Sequence, residues 1–161
     1  MEVKKITPPV TSFLQVKLDQ EIISYLWRII DIAITENKNF KNKLVGNISQ
    51  SILLEDLDSF FYKSVCIPLV KYYRESNPQG FDPVSQNAIL GPDTQLILNQ
   101  FWVNHQYKTE FNPFHDHTGV YSFAIWMKIP YDWEDQKKLP MFNDVDERNI
   151  KAGTFQFEYS N

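Results

Sequence analysis

The sequence predicts an α+β fold, or helices packed on a β-sandwich, and three observations predict it. Apolar residues recur at helical spacing up to about residue 73, and runs rich in β-branched and aromatic residues follow residue 95. Between them lies a stretch, 74–94, rich in Pro, Gly, Asn and Ser, which reads mainly as loop. The chain of 161 residues, 43% of them hydrophobic, is one domain's worth with ample apolar mass for a core. A single domain over 1–161 is expected, with an N-terminal strand, helices and loop over 1–94 and a β-rich part over 95–161.

The elements follow in order. Val10 to Leu18 alternates near its end at Leu14, Val16 and Leu18 and reads as a first strand. Asp19 sits where a helix N-cap belongs. Ile22, Ile23, Leu26, Ile29, Ile30 and Ala33 then form one apolar stripe. Residues 35–47 are polar and end in the loop Val45-Gly46-Asn47. From Ile48 to about Tyr73 a second helical pattern runs through Ile52, Leu57, Phe61, Val65 and Leu69, and Pro68 should kink or divide it. Strands are expected at Leu96–Tyr107, Tyr121–Pro130 and Thr154–Tyr159. The charged segment 131–150 between the last two reads as a solvated, turn-rich insert whose carboxylates lack the spacing of an EF-hand loop.

The charge balance limits function. A net charge of −4 and no basic block leave no electrostatic case for nucleic acid or an anionic membrane. No apolar run approaches the roughly 20 residues of a membrane span. The single cysteine, Cys66, reads as a buried apolar residue in a helix, and it fits a reducing compartment. A cytoplasmic protein is the expectation, in the host cytoplasm if the source is a virus.

The chemistry concentrates at Phe114-His115-Asp116-His117-Thr118-Gly119. In an extended strand, side chains at i and i+2 share a face, so His115 and His117 can converge on one metal ion while Asp116 points away. Imidazole suits zinc, copper, iron and nickel. The plainer reading is a polar pair in a surface turn between Asn112-Pro113 and Thr118-Gly119. His105 reads as a half-exposed strand residue. Trp102 and Asn104 share one face of their strand, and Phe101, Val103 and His105 share the other.

The ordered set Phe101-Trp102-Val103-Asn104, then His115-Asp116-His117, then Ser122 through Met127-Lys128-Ile129-Pro130 resembles the core of a 2-oxoglutarate- and Fe(II)-dependent oxygenase family. That family carries W-x-N, H-x-H and a following strand that ends in Pro. Leu44-Val45-Gly46-Asn47-Ile48 is similar to the family's L-x-G-N-I stretch, and the chain resembles uncharacterised versions encoded by marine viruses. The departure is Ser122-Phe123-Ala124-Ile125-Trp126, which replaces a small-glycine-aromatic run.

The resemblance implies a double-stranded β-helix (jelly roll) buttressed by N-terminal helices, with Fe(II) as metal and 2-oxoglutarate as cosubstrate. It implies His115 and His117 as metal ligands and Asn104 as a cofactor-binding residue. The function it implies is hydroxylation of a small-molecule or protein substrate that the sequence does not name. A jelly roll needs about eight strands, more than the four or five candidates here. The family's distal histidine and arginine are not found either. The only arginine after the motif, Arg148, falls in the turn-rich insert. The expectation is therefore that the chain is the front part of a longer protein, with self-association as one way to cover its strand edges. Two other functions compete: a β-sandwich used for binding or structure without catalysis, and a cupin-like metalloenzyme without 2-oxoglutarate.

Overall fold

A computed structural model describes residues 13–76, 95–115, 117, 119–151 and 153–156. The chain divides into two compact units, Met1–Ser122 and Phe123–Asn161. The expected subdivision at 94/95 falls inside the first unit, because strand pairing ties the segments on either side of it together.

In the first unit, helix α1 spans Gln20–Thr35 and follows Asp19, whose backbone is extended but whose side chain makes no capping hydrogen bond. Its buried stripe is Ile22, Tyr25, Leu26, Ile29, Ile30 and Ala33. Burying each large aliphatic side chain contributes about 1.5–3 kcal/mol, so this face anchors α1. Residues 13–19 ahead of it carry no regular structure, and Val10–Ser12 of the predicted first strand lie outside the described residues.

The start of the second helical pattern is instead a strand. β1, Gln50–Leu53, pairs antiparallel with β2, Trp102–His105, in the register Gln50↔His105, Ser51↔Asn104, Ile52↔Val103 and Leu53↔Trp102. Ile48 and Ile52 mimic a helical i,i+4 repeat, but both are buried from an extended segment. Lys38–Phe40 lines the other edge of β1: Phe40 N–H donates to Ser51 O and Leu53 N–H to Lys38 O, each at 2.8 Å. With both edges paired, β1 is the middle of the layer, and α1 packs against it. Phe101 extends the pairing by accepting Leu54 N–H at 2.8 Å, and its ring stacks on Phe61 at 5.0 Å.

The helical part of that pattern begins at Phe60. A π-helical turn, Tyr62–Cys66, leads into α2, Ile67–Ser76. Pro68 has no N–H to donate to Ser64 in an α-helix. A wider turn just before it, closed by Ile67 N–H on Tyr62 O, absorbs the mismatch without a break. The helix continues to Ser76, past the start of the predicted loop, and residues 77–94 lie outside the described residues.

Of the predicted strand Leu96–Tyr107, only Trp102–His105 is regular strand. Among the described residues no strand occupies 121–130 or 154–156, and 157–159 lie outside them. The described structure is therefore mixed helix and a small antiparallel sheet, and the jelly roll remains an expectation.

In the second unit, α3 spans Trp133–Lys137 and is capped by Asp132, whose carboxylate accepts Glu134 N–H at 2.9 Å. Lys137 lies over the Trp133 ring at 4.4 Å and pairs with Glu134 at 2.7 Å. Asp146 accepts both the backbone and the guanidinium of Arg148. The carboxylates of this insert thus serve as helix caps and ion pairs. Trp126 meets Phe155 edge-on at 5.3 Å, and Ile150 is buried.

Candidate functional site

β2 supplies the floor of the site. Residues directly opposite one another in an antiparallel pair share a face. Ser51 and Asn104 are so paired, and the Ser51 hydroxyl donates to Asn104 Oδ1 at 2.8 Å. By alternation Trp102 and Asn104 look one way and Val103 and His105 the other. His105 is thus on the face opposite Asn104; its Nε2 is buried without a partner among the described residues.

The chain then departs from the ladder and returns to it. Residues 106–110 bulge out opposite residues 48–49, and pairing resumes where Asn47 and Phe111 exchange hydrogen bonds of 2.8 and 3.2 Å. Glu110 holds the bulge: one carboxylate oxygen accepts Ser49 N–H and the other Tyr107 N–H, each at 2.9 Å. The Ser49 side chain, then the Tyr107 N–H, favours its charged form and keeps the Glu110 carboxyl below its ordinary pKa. Gly46 flanks the returning strand. A Cβ there would stand 2.0 Å from Asn112 Oδ1, so the small residue of the Leu44–Ile48 motif admits the segment that carries the histidines.

Beyond Pro113 the chain brings His115 and His117 together, with ring centroids 4.7 Å apart and planes at 66°. His115 Nδ1 lies 2.7 Å from Pro113 O. A carbonyl accepts only, so Nδ1 donates there and Nε2 is the ring nitrogen outside that contact. Metal-binding histidines are oriented by the same kind of contact. His117 lies beside Trp102, ring centroids 6.4 Å apart and planes at 30°, and Phe40 approaches Trp102 from the Lys38–Phe40 edge at 5.9 Å. Both histidines are solvent-exposed, whereas Trp102 and Asn104 are half-buried.

The two predicted metal ligands therefore come together, and His117 lies beside Trp102, which shares its strand face with Asn104. Imidazole nitrogens suit zinc, copper, iron and nickel alike. The pair supplies two nitrogen donors, and among the described residues no group of three His, Cys, Asp or Glu could hold an ion. Asp116 lies outside the described residues.

Sequence reasoning missed Ser51, because the helical reading of residues 48–73 put it on no sheet face. The legible signal was the run Gln50-Ser51-Ile52-Leu53, which is short enough for a strand and follows the turn residues Gly46-Asn47. No helix of the described residues is long and apolar enough to cross a membrane. Compared with known proteins, the chain matches no family model, no curated protein and no solved structure.

Proposed function

We propose that His115 and His117 bind Fe(II) and that the chain carries part of a 2-oxoglutarate-dependent oxygenase site. The observation that carries this reading is the approach of His117 to Trp102 at 6.4 Å. It joins the W-x-N strand to the H-x-H segment across a bulge. Two motifs of one suspected site, separate in sequence, share one surface.

In this reading His115 binds through Nε2, since Nδ1 is engaged by Pro113 O. Iron and 2-oxoglutarate, when bound, supply oxidative attack on a C–H bond; the protein positions and shields that chemistry. Asn104 binds the cosubstrate by donating from its amide to a carboxylate oxygen. Trp102 forms one wall of the site beside His117. The chain acts in the cytoplasm, consistent with its lone thiol, on a small molecule or protein and not on nucleic acid.

The test is anaerobic Fe(II) titration with and without 2-oxoglutarate, read by the visible metal-to-ligand charge-transfer band. A band that needs both components and is lost in His115→Ala and His117→Ala is expected. Metal binding without a response to 2-oxoglutarate would turn the reading to a cupin-like metalloenzyme. No metal binding by folded protein would turn it to a binding module.

A further inference from the structure

In the first unit, α1 and the segment that begins with the 3-10 turn Leu57–Ser59 enclose an open cleft of about 370 Å³. That is the small end of the range for ligand pockets, about 300–1,000 Å³. Helical spacing sets Glu21, Tyr25 and Arg28 in a row along one wall, and Leu57, Asp58 and Phe60 form the other. The Arg28 guanidinium lies over the Tyr25 ring, 5.4 Å from its centroid. Two carboxylates, Glu21 and Asp58, line the same cleft, yet among the described residues Arg28 forms no ion pair with either. The turn is held in a costly shape: Asp58 and Ser59 both have φ 55°, in the left-handed region that non-glycine residues rarely adopt. The Tyr25 hydroxyl contacts Leu57 O at 3.3 Å, Lys63 Nζ donates to Asp58 O at 2.9 Å, and Ser59 N–H donates to Asp56 O at 3.1 Å. Backbone strain persists only where the surroundings enforce it, and ligand clamps are one place where it gathers.

The chemistry of the lining selects the ligand. A guanidinium offers a fork of donors that matches a carboxylate, and Glu21 and Asp58 attract an ammonium. A purely anionic ligand would meet two like charges here, and a purely cationic one would meet Arg28. A ligand with both charges and an apolar body satisfies the whole lining, with Leu57 and Phe60 against that body. We propose that this cleft binds a zwitterionic, apolar peptide the size of a dipeptide, its carboxylate on Arg28 and its ammonium on Glu21 and Asp58. Glu21 and Arg28 lie two helical turns apart, about 10 Å along the axis. Two extended residues span about 7 Å, and the long Glu and Arg side chains close the difference. This site shares no residue with the His115–His117 pair and stands whether or not that pair binds metal.

The experiment is titration of the full, nitrogen-15-labelled chain with leucyl-leucine, read by backbone amide shifts. Saturable shifts centred on residues 21–28 and 57–60 are expected. The same titration is run with the N-acetylated dipeptide and with its C-terminal amide. Each cap removes one charge and is expected to weaken binding roughly three- to tenfold, the worth of a charge-assisted hydrogen bond in an open site. Arg28→Gln is expected to weaken the free dipeptide by a similar factor and to cause no further loss for the C-terminal amide, since the group it meets is gone. Glu21→Gln and Asp58→Asn are expected to do the same with respect to the acetylated dipeptide; asparagine also tolerates the left-handed backbone at residue 58. The capped ligands are compared on the unaltered chain, so the test does not depend on any variant folding. No saturable shift in this cleft overturns the proposal. So does equal binding of free and capped dipeptides, which marks apolar contact alone. Loss on capping only one terminus overturns it as well, since a single charge would then be read.

Discussion

The Tyr25 hydroxyl donates to Asp56 Oδ1 at 2.5 Å across 31 residues of sequence, joining α1 to the turn that starts the second helix. The same carboxylate accepts Phe61 N–H and Tyr62 N–H, each at 2.8 Å. Asp56 thus satisfies two donors of a helix start while it holds the hydroxyl of a buried residue on α1. The neighbouring Tyr25 and Phe60 rings, 4.7 Å apart, close the same junction.

Asp56→Ala is therefore expected to destabilise the chain by about 2 kcal/mol, the upper range for a lost helix cap, read as a lower midpoint in urea. Burial, then the Asp56 contact, raises the Tyr25 pKa above its ordinary 10.0. The folded chain holds that proton more tightly than the unfolded one. The stabilisation is fully present below pH 10 and is lost as pH rises beyond it. Tyr25→Phe should flatten this alkaline loss; an unchanged alkaline slope would refute the link.

Glu110 shifts in the opposite sense. Its folded pKa lies below the ordinary 4.5, first because of the Ser49 contact. Its contribution is thus present above pH 4.5 and disappears as the pH falls through the lower folded value. Glu110→Gln should reduce the acid dependence of stability and loosen residues 106–110, measured as faster amide exchange at Ser49 and Tyr107.

Burial, followed by the charge of Asp56, pushes the Cys66 thiol up to about 11 from its ordinary 9.0. Only the thiolate reacts, so alkylation at pH 8 should be roughly 100-fold slower in the folded chain than in urea. Equal rates would show that Cys66 is neither shielded nor shifted.

Thr109 sits in the bulge with φ 74°, in the left-handed region. A β-branched residue is strained there. Thr109→Asn should stabilise the chain by about 1 kcal/mol, seen as a higher melting temperature. A decrease would mean that the Thr109 side chain contributes more than its backbone strain takes away.

The amino-acid sequence by itself determined the elements whose pattern is local and strong. The stripe from Ile22 to Ala33 can be buried only as a helix face, and α1 lies where that stripe predicts. The pairing of His115 with His117 is equally local, since two residues so close in the chain can meet without help from the fold. What lay beyond local pattern was decided by tertiary structure. Ile48 and Ile52 satisfy a helical repeat and a strand alike, and hydrogen bonding on both edges of β1 selects the strand. Pro68 was legible as a disturbance, but the π-helical turn that absorbs it was not. The meeting of Ser51 with Asn104, and of Trp102 with His117, depends on strand register and on a bulge held by one carboxylate. Such contacts join residues far apart in the chain, and only closure of the intervening loops brings them within hydrogen-bonding or ring-packing range.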